Sequence, residues 1–117
     1  RLSPFMIKVL GAEPEGWIEG VRLGKLFMVG VPFDFSGETS LEWKQWVRRR
    51  EYDLWPTGFS SAYCGYLSPD KYYDEASGYE TGLMNWFGPN TEAYFTALFH
   101  HLIQALAPPE SKAAFAQ

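Results

Sequence analysis

The sequence predicts an α/β fold, with helices packed on a β-sheet, from three features of its 117 residues. Strand-like apolar runs alternate along the chain with stretches that have helical periodicity. The last helical stretch is apolar nearly all round, a pattern typical of a helix that is covered on two sides. Aromatic residues make up 18% of the chain, so we expect some of them to contact a partner, a groove or a neighbouring domain.

The first part of the chain is predicted to form three strands. Phe5 to Gly11 is a mostly apolar run, and a turn rich in proline, glycine and glutamate follows it. Trp17 to Leu23 alternates apolar with charged residues, which predicts a strand with one solvent-facing side. Lys25 to Val31 is almost wholly apolar, as in a central buried strand, and Gly24 joins it to the strand before.

A helix is predicted to begin soon after that strand ends at Pro32. Thr39 and Glu42 have the spacing of a capping box, and the three arginines at 48–50 suit the C-terminal end of a helix dipole. The apolar residues predicted on its inner face are Leu41, Trp46 and Val47. The arginine run indicates a solvated helix end rather than a phosphate site, because no wider basic surface surrounds it.

The second half of the chain is predicted to contain an extended segment, a loop and a long helix. Residues 54–66 form an extended segment with several small residues, and residues 69–78 form a polar, turn-rich loop. Asn90 is predicted to cap a helix over residues 91–107, which Pro108 ends.

Composition and charge exclude several classes of protein. The basic residues number 10 and the acidic ones 14, giving a net charge of −4, and nucleic-acid binding requires a basic surface instead. No apolar run is long enough to cross a membrane. The single cysteine, Cys64, excludes an intrachain disulfide and a multi-cysteine zinc site. Because the chain begins at Arg1 without an apolar leader, we expect a processed protein or an internal segment.

Several potentially reactive side chains are expected to be structural. His100 and His101 are neighbours on the final helix, so their side chains diverge and cannot readily bind one metal ion. We expect one of them to pack against a helix and the other to lie at its edge. A lone cysteine such as Cys64 is usually a small buried hydrophobic residue.

Two other residues are candidates for a functional site. Asp34 follows a buried strand and stands between two phenylalanines, where a carboxylate needs a charged partner, a hydrogen bond or a metal. Tyr66 ends the small-residue segment. The residues alone favour a cap or turn role for Asp34, and an ordinary buried tyrosine with a hydrogen-bonded hydroxyl for Tyr66.

Three segments, in this order, resemble the later part of the catalytic domain of the neutral, non-lysosomal ceramidases. They are VRLGKLFMVGVPFDFSGE, GFSSAYCGYLSPDKYY and GYETGLMNWFGPNTEAYF, and the resemblance spans residues 21–106. Members of that family have a strand leading into a Pro-Gly-Glu turn and a helix, then a small-residue strand ending in tyrosine. A Tyr-Glu pair and a Gly-Pro-x-Thr helix start follow. Residues 1–117 would thus be one segment of a larger catalytic domain.

The resemblance implies a zinc-dependent amidohydrolase that cleaves N-acyl sphingoid bases (ceramide) into fatty acid and sphingosine. The family holds zinc with two histidines from an earlier part of the domain and with a glutamate and a tyrosine from this part. The last two would fall on Asp34 and Tyr66, although Asp34 is one methylene shorter than glutamate and Phe33 stands where the family has glycine. Phe33, Phe35 and Trp55 are weaker candidates for apolar walls of the substrate pocket.

The resemblance also implies partners and a location. Neither family histidine lies before Asp34, so we expect the segment to need the preceding part of the domain and to be inactive alone. That part would complete a mixed sheet. The implied substrate is a lipid amide, with peripheral membrane contact, no nucleic acid, and a secreted, periplasmic or cell-surface location. Two alternatives remain open: a non-catalytic, aromatic-rich interaction module, and a family member that cleaves a different lipid amide.

Overall fold

The structure, a computed structural model, describes residues 3–11, 15–74 and 78–116. Within these ranges the elements are α1 (Pro4–Val9), β1 (Glu19–Leu23), β2 (Leu26–Gly30), β3 (Asp34–Phe35), α2 (Gly37–Arg48), β4 (Asp53–Thr57), β5 (Tyr66–Leu67) and α3 (Thr91–Leu106). Short 3₁₀ helices at Asp70–Tyr73 and Pro109–Phe115 and a π-helical turn at Glu80–Met84 complete them. None of the helices in the described ranges is long and apolar enough to cross a membrane.

The strands form a mixed three-stranded sheet and a parallel pair, which confirms the predicted α/β class. In the three-stranded sheet β2 lies between β1 and β4, so the prediction of a central strand is correct. β1 runs antiparallel to β2, with Val21 opposite Met28, whereas β4 runs parallel to β2, with Trp55 opposite Met28. The β1–β2 turn contains Gly24 at φ +61°, a left-handed conformation that favours glycine. The parallel pair is β3 with β5.

Helix α2 lies in the crossover connection between the parallel strands β2 and β4, and it begins earlier than predicted. Its N-cap is Ser36, whose hydroxyl oxygen accepts a hydrogen bond 3.1 Å from the amide nitrogen of Glu38. The predicted capping box at Thr39 is therefore wrong. Thr39 lies inside the helix, is buried, and donates its hydroxyl to a carboxylate oxygen of Glu92 at 2.5 Å.

The main core lies between the inner face of the three-stranded sheet and the helices α2 and α3. Phe99 of α3 stacks on Trp43 of α2 with ring centroids 4.3 Å apart, and both side chains are buried. Burying a side chain of this size stabilises a fold by roughly 1.5–3 kcal/mol. The predicted inner face of α2 was only partly correct, because Trp43 faces the core and Leu41 is exposed.

Helix α3 begins at Thr91, but its cap comes from a distant residue. The Asn90 side chain makes no capping hydrogen bond. Instead the Asp70 carboxylate accepts hydrogen bonds from the amides of Asn90 (2.7 Å) and Ala93 (3.1 Å). In return, Glu92 accepts a hydrogen bond from the Asp70 amide at 2.9 Å. This reciprocal arrangement joins the start of α3 to the turn that follows β5.

The predicted strand from Phe5 to Gly11 is wrong, because Pro4–Val9 is a helix. Ser3 is its N-cap, and the hydroxyl oxygen of Ser3 accepts a hydrogen bond from the amide of Met6 at 3.3 Å. Pro4 occupies the first turn, where a missing amide hydrogen costs nothing. These two signals for the start of a helix outweigh the apolar run, which was the evidence for a strand.

The predicted roles of the arginines and histidines are largely confirmed. Arg48 and Arg49 are exposed at the end of α2, as expected for a solvated helix end. Arg50 instead lies 4.0 Å over the Trp46 ring and donates to the carbonyl of residue 114 at 2.6 Å. His100 stacks on Trp46, with ring centroids 4.1 Å apart, and His101 is exposed.

Candidate functional site

Asp34 and Tyr66 lie side by side in the parallel pair β3–β5. They are register partners, and the amide of Asp34 donates a hydrogen bond to the carbonyl of Gly65 at 3.1 Å. Adjacent strands lie about 4.8 Å apart, and register partners in a parallel pair present their side chains on the same side. Two residues separated by a helix and a strand in sequence therefore become neighbours.

The backbone around β5 explains how Tyr66 reaches that position. The chain between β4 and β5 stays hydrogen-bonded to the segment that joins β2 to β3. The amides of Phe59, Ser60 and Cys64 donate to the carbonyls of Phe33 (3.0 Å), Val31 (3.0 Å) and Pro32 (2.7 Å). The next residue, Gly65, has φ +85°. A Cβ added to Gly65 would lie 2.6 Å from the Met84 carbonyl oxygen. Glycine at this position therefore permits both the turn into β5 and the close approach of the π-helical turn.

Asp34 and Tyr66 line a cavity of about 300 Å³ at the carboxyl ends of β3 and β5. The described lining residues are Asp34, Phe35, Ser36, Gly37, Tyr66, Leu67, Ser68 and Glu80. None of these is a lysine, an arginine or a histidine, whereas two are carboxylates. The cavity therefore favours a cation over an anion. Its position, where a crossover connection leaves the end of a strand, is a common one for ligand sites in α/β proteins.

Neither candidate side chain is committed to a structural hydrogen bond. Among residues 3–11, 15–74 and 78–116, the Asp34 carboxylate and the Tyr66 hydroxyl have no hydrogen-bond partner. Within these residues, Asp34 does not cap a helix, and the Tyr66 hydroxyl lacks the hydrogen bond that an ordinary buried tyrosine makes. Both side chains remain available to a ligand.

The surroundings of Tyr66 favour the protonated form of its phenol when no cation is bound. Partial burial raises the pKa of Tyr66, and the negative charge of Asp34 and the nearby Tyr79 and Glu80 raise it further. The Tyr79 ring meets the Tyr66 ring edge-on, with centroids 6.3 Å apart. A bound cation would act in the opposite direction, because its positive charge favours the phenolate.

An exposed cluster joins the two helices that follow the strands of the candidate residues, α2 after β3 and the 3₁₀ helix after β5. Glu38, in the first turn of α2, pairs with Lys71 and accepts a hydrogen bond from the Tyr72 hydroxyl at 2.8 Å. Lys71 and Tyr72 belong to the 3₁₀ helix that follows β5. Hydrogen bonds from Lys71 and Tyr72 lower the pKa of Glu38. The segments that follow β3 and β5 therefore contact each other on the surface next to the cavity.

The three aromatic residues predicted as pocket walls lie in three different places. Phe33 is buried, packs edge-on against Phe95 at 4.6 Å, and lines a second cavity of about 600 Å³. The other apolar and aromatic residues around that cavity include Trp17, Cys64, Phe87, Pro89 and Tyr94. Phe35 lines the Asp34 cavity. Trp55 is exposed on the outer face of β4 and is not among the described residues of either lining.

Glu80 is the functional candidate that the sequence reasoning missed. Glu80 lines the Asp34–Tyr66 cavity although it lies on a separate element, the π-helical turn. The Tyr-Glu pair in the third resembling segment was the available signal. Nothing in the spacing of that pair predicts that the turn folds back against β5.

The residues at the cavity suit part of a zinc site. Zinc accepts carboxylate and other oxygen ligands, and in most sites it is four-coordinate. In the described part of the chain no group of three or more histidine, cysteine, aspartate or glutamate side chains is placed to hold a metal ion. The Asp34 carboxylate and the Tyr66 phenol have oxygens of the kind that zinc accepts, so they would supply two of the four ligands, and the others would have to come from elsewhere.

Comparison of the chain with protein-family models, with curated proteins and with solved structures found no match in any of the three.

Proposed function

We propose that this chain is the later part of the catalytic domain of a zinc amidohydrolase similar to the neutral ceramidases, in which Asp34 and Tyr66 are zinc ligands. The observation that carries the proposal is the register pairing of Asp34 with Tyr66. The resemblance assigns the ligand roles to these two positions, and a shared cation requires their side chains to meet. Their convergence in an anionic cavity supports the same assignment.

The proposed chemistry divides between the metal and the residues around it. A bound zinc ion would lower the pKa of a water molecule and would polarise the carbonyl of the amide. Asp34 contributes a carboxylate that balances the positive charge, and Tyr66 contributes a phenol that ionises more readily beside a cation. Hydrolysis adds water across the amide bond and releases a fatty acid and an amine, which for a ceramide is sphingosine.

The missing ligands would be two histidines from a preceding part of the domain. β1 is an edge strand of the described sheet, and its outward residues Val21 and Leu23 are 48% and 60% exposed. An uncovered strand edge with apolar neighbours is a site where further strands add. This arrangement supports a sheet that the preceding part completes, as the resemblance implies.

The substrate class rests on the resemblance and on the second cavity. That cavity is lined mainly by aromatic and apolar side chains, and its volume of about 600 Å³ falls within the usual range of ligand sites. Phe33, which lines this cavity, directly precedes Asp34 in the sequence. An aliphatic chain of a lipid amide suits such a lining. Peripheral membrane contact and a secreted, periplasmic or cell-surface location belong to the same proposal.

The test uses the full-length protein that contains this chain together with the part that precedes it. We expect about one zinc ion per protein at the site, and hydrolysis of ceramide to fatty acid and sphingosine. Asp34→Ala and Tyr66→Phe should each lower zinc content and abolish turnover. The matched controls are Asp74→Ala, at an exposed aspartate, and Tyr52→Phe, which removes a tyrosine hydroxyl outside both cavities. Normal zinc content in the Asp34→Ala and Tyr66→Phe variants would contradict the proposal.

The same experiment separates the two alternatives. A family member with another substrate would bind zinc through the same residues but would release products from other N-acyl amines and not from ceramides. An interaction module would bind no zinc. The exposure of Trp17 (67%) and Trp55 (59%) favours that second candidate, which predicts that only substitution of these tryptophans impairs binding to a partner.

A further inference from the structure

Glu80 shares the cavity of Asp34 and Tyr66 but comes from a different element. Glu80 is the first residue of the π-helical turn, which packs against β5, and it is one of the residues that line the cavity. The preceding residue, Tyr79, holds its ring against that of Tyr66. The turn is brought close by Gly65, since any larger residue there would meet the carbonyl of Met84.

Glu80 also has no other structural task in the described part of the chain. Its carboxylate has no hydrogen-bond or ion-pair partner among residues 3–11, 15–74 and 78–116. Glu80 is exposed, and its negative charge contributes to the raised pKa of Tyr66. Glu80 is therefore close to the candidate ligands, and its carboxylate is accessible to a molecule bound in the cavity.

Hydrolysis of an amide needs a group that moves a proton. The attacking water must lose a proton, and the leaving nitrogen must gain one before the C–N bond breaks. If Asp34 and Tyr66 bind a cation, their oxygens are committed to it. Of the other described lining residues, Ser36 and Ser68 have hydroxyls, which are poor bases, and the Ser36 hydroxyl also caps α2. Glu80 is the one carboxylate among them.

Resting on the function proposed above, we propose that Glu80 is the general acid–base residue of this site. Its carboxylate accepts a proton from water as the water oxygen bonds to the amide carbonyl carbon. The same proton then passes to the amide nitrogen as the C–N bond breaks and the carbonyl re-forms. The products are a carboxylic acid and an amine, and Glu80 returns to its ionised form.

The test compares Glu80→Gln with the wild type in the full-length, zinc-loaded protein, and it measures zinc content as well as turnover. We expect unchanged zinc content, an unchanged KM, and a fall in kcat of about 10²- to 10⁴-fold, the usual contribution of acid–base catalysis. Glu110→Gln makes the same chemical change at an exposed position outside the cavity and should leave both quantities unchanged.

A second variant separates proton transfer from a structural role. In Glu80→Ala the cavity gains room for a small carboxylate, so added formate should restore part of the lost turnover. Formate should not rescue Asp34→Ala, whose expected defect is the loss of zinc.

The outcomes distinguish this inference from the proposed function. If the wild type binds zinc and cleaves the amide while Glu80→Gln keeps kcat within about twofold, the role of Glu80 is refuted and the proposed function stands. Loss of zinc in Glu80→Gln would make Glu80 a ligand and would also refute an acid–base role. A wild type without zinc or hydrolysis would overturn both.

Discussion

Replacing Asp70 by alanine should loosen the start of helix α3 without unfolding the molecule. The Asp70 carboxylate accepts two hydrogen bonds from backbone amides of the first turn, those of Asn90 and Ala93. The variant loses both bonds. It keeps the reciprocal bond from the residue-70 amide to Glu92, because that donor belongs to the backbone. The expected defect is therefore that of a missing N-cap, confined to one helix end.

The size of this effect follows from the known value of such caps. Removal of a capping side chain costs about 0.5–2 kcal/mol, and loss of a negative charge at a helix N-terminus accounts for part of that. Asp70 makes two bonds, so we expect the upper half of the range, about 1–2 kcal/mol. A free-energy change of that size alters a local opening equilibrium by about 5- to 30-fold.

Hydrogen exchange measured by mass spectrometry reports this opening directly. Peptides that cover residues 90–97 should exchange about 5- to 30-fold faster in Asp70→Ala, while peptides from β2 and α2 should exchange at wild-type rates. Asp70→Asn keeps a neutral acceptor and should fall between the two. Asp74→Ala, a change at an exposed aspartate of the same segment, is the control. Unchanged exchange at the start of α3 in Asp70→Ala would refute the long-range cap.

Three further substitutions test other parts of the structure. Burial lowers the pKa of His100, so the unfolded chain binds a proton more readily than the folded one. Stability should therefore fall as the pH drops below about 6.5. His100→Gln should flatten that dependence in thermal unfolding at pH 5 to 8. Gly65→Ala places a Cβ 2.6 Å from a carbonyl oxygen at φ +85°, whereas the Cβ of Gly24→Ala, at φ +61°, meets nothing within 4 Å. Both variants should lose the roughly 1–2 kcal/mol of left-handed strain, and only Gly65→Ala should lose more stability than that in thermal unfolding. Phe99→Ala should cost about 3–5 kcal/mol in urea unfolding and Leu41→Ala less than about 0.5 kcal/mol, since Phe99 is 0% exposed and Leu41 is 52% exposed; equal losses would contradict the assignment of the core.

The elements that the sequence predicted well are those in which the local pattern and the tertiary packing agree. β2 and α3 each have a periodicity that matches the face they bury. In β1 the predicted faces are wrong, because Val21 and Leu23 are exposed whereas Arg22 is half-buried and donates a hydrogen bond to the carbonyl of Leu106. The central place of β2 follows from its apolar run, because a strand flanked on both edges has few positions that meet water. The stacking of His100 on α2 agrees with a histidine on a largely apolar helix.

The elements that the sequence did not predict depend on contacts that are distant in the chain or on a competing local signal. Asn90 has the residue type of a cap, but Asp70 supplies the bonds, and no local pattern reveals a cap from another element. Thr39 has capping-box spacing, yet Ser36 provides the cap and Thr39 bonds to α3.

The candidate site divides in the same way. Residue types and spacing alone left Asp34 and Tyr66 open to structural roles, and their pairing was expected from the order of the three resembling segments. The structure places them in register in adjacent strands. Glu80 joins them only because the turn after Gly78 folds back on β5, a tertiary event without a signature in the sequence around it.

The central claim is that one zinc ion binds both the Asp34 carboxylate and the Tyr66 phenol. The most direct test is an anomalous-scattering map, recorded at the zinc edge, from crystals of the full-length protein. The claim predicts one zinc peak in the cavity, with an oxygen of Asp34 and the phenol oxygen of Tyr66 each about 2.0–2.2 Å away. A zinc ion held elsewhere, or a cavity without zinc in a protein that hydrolyses amides, would contradict it.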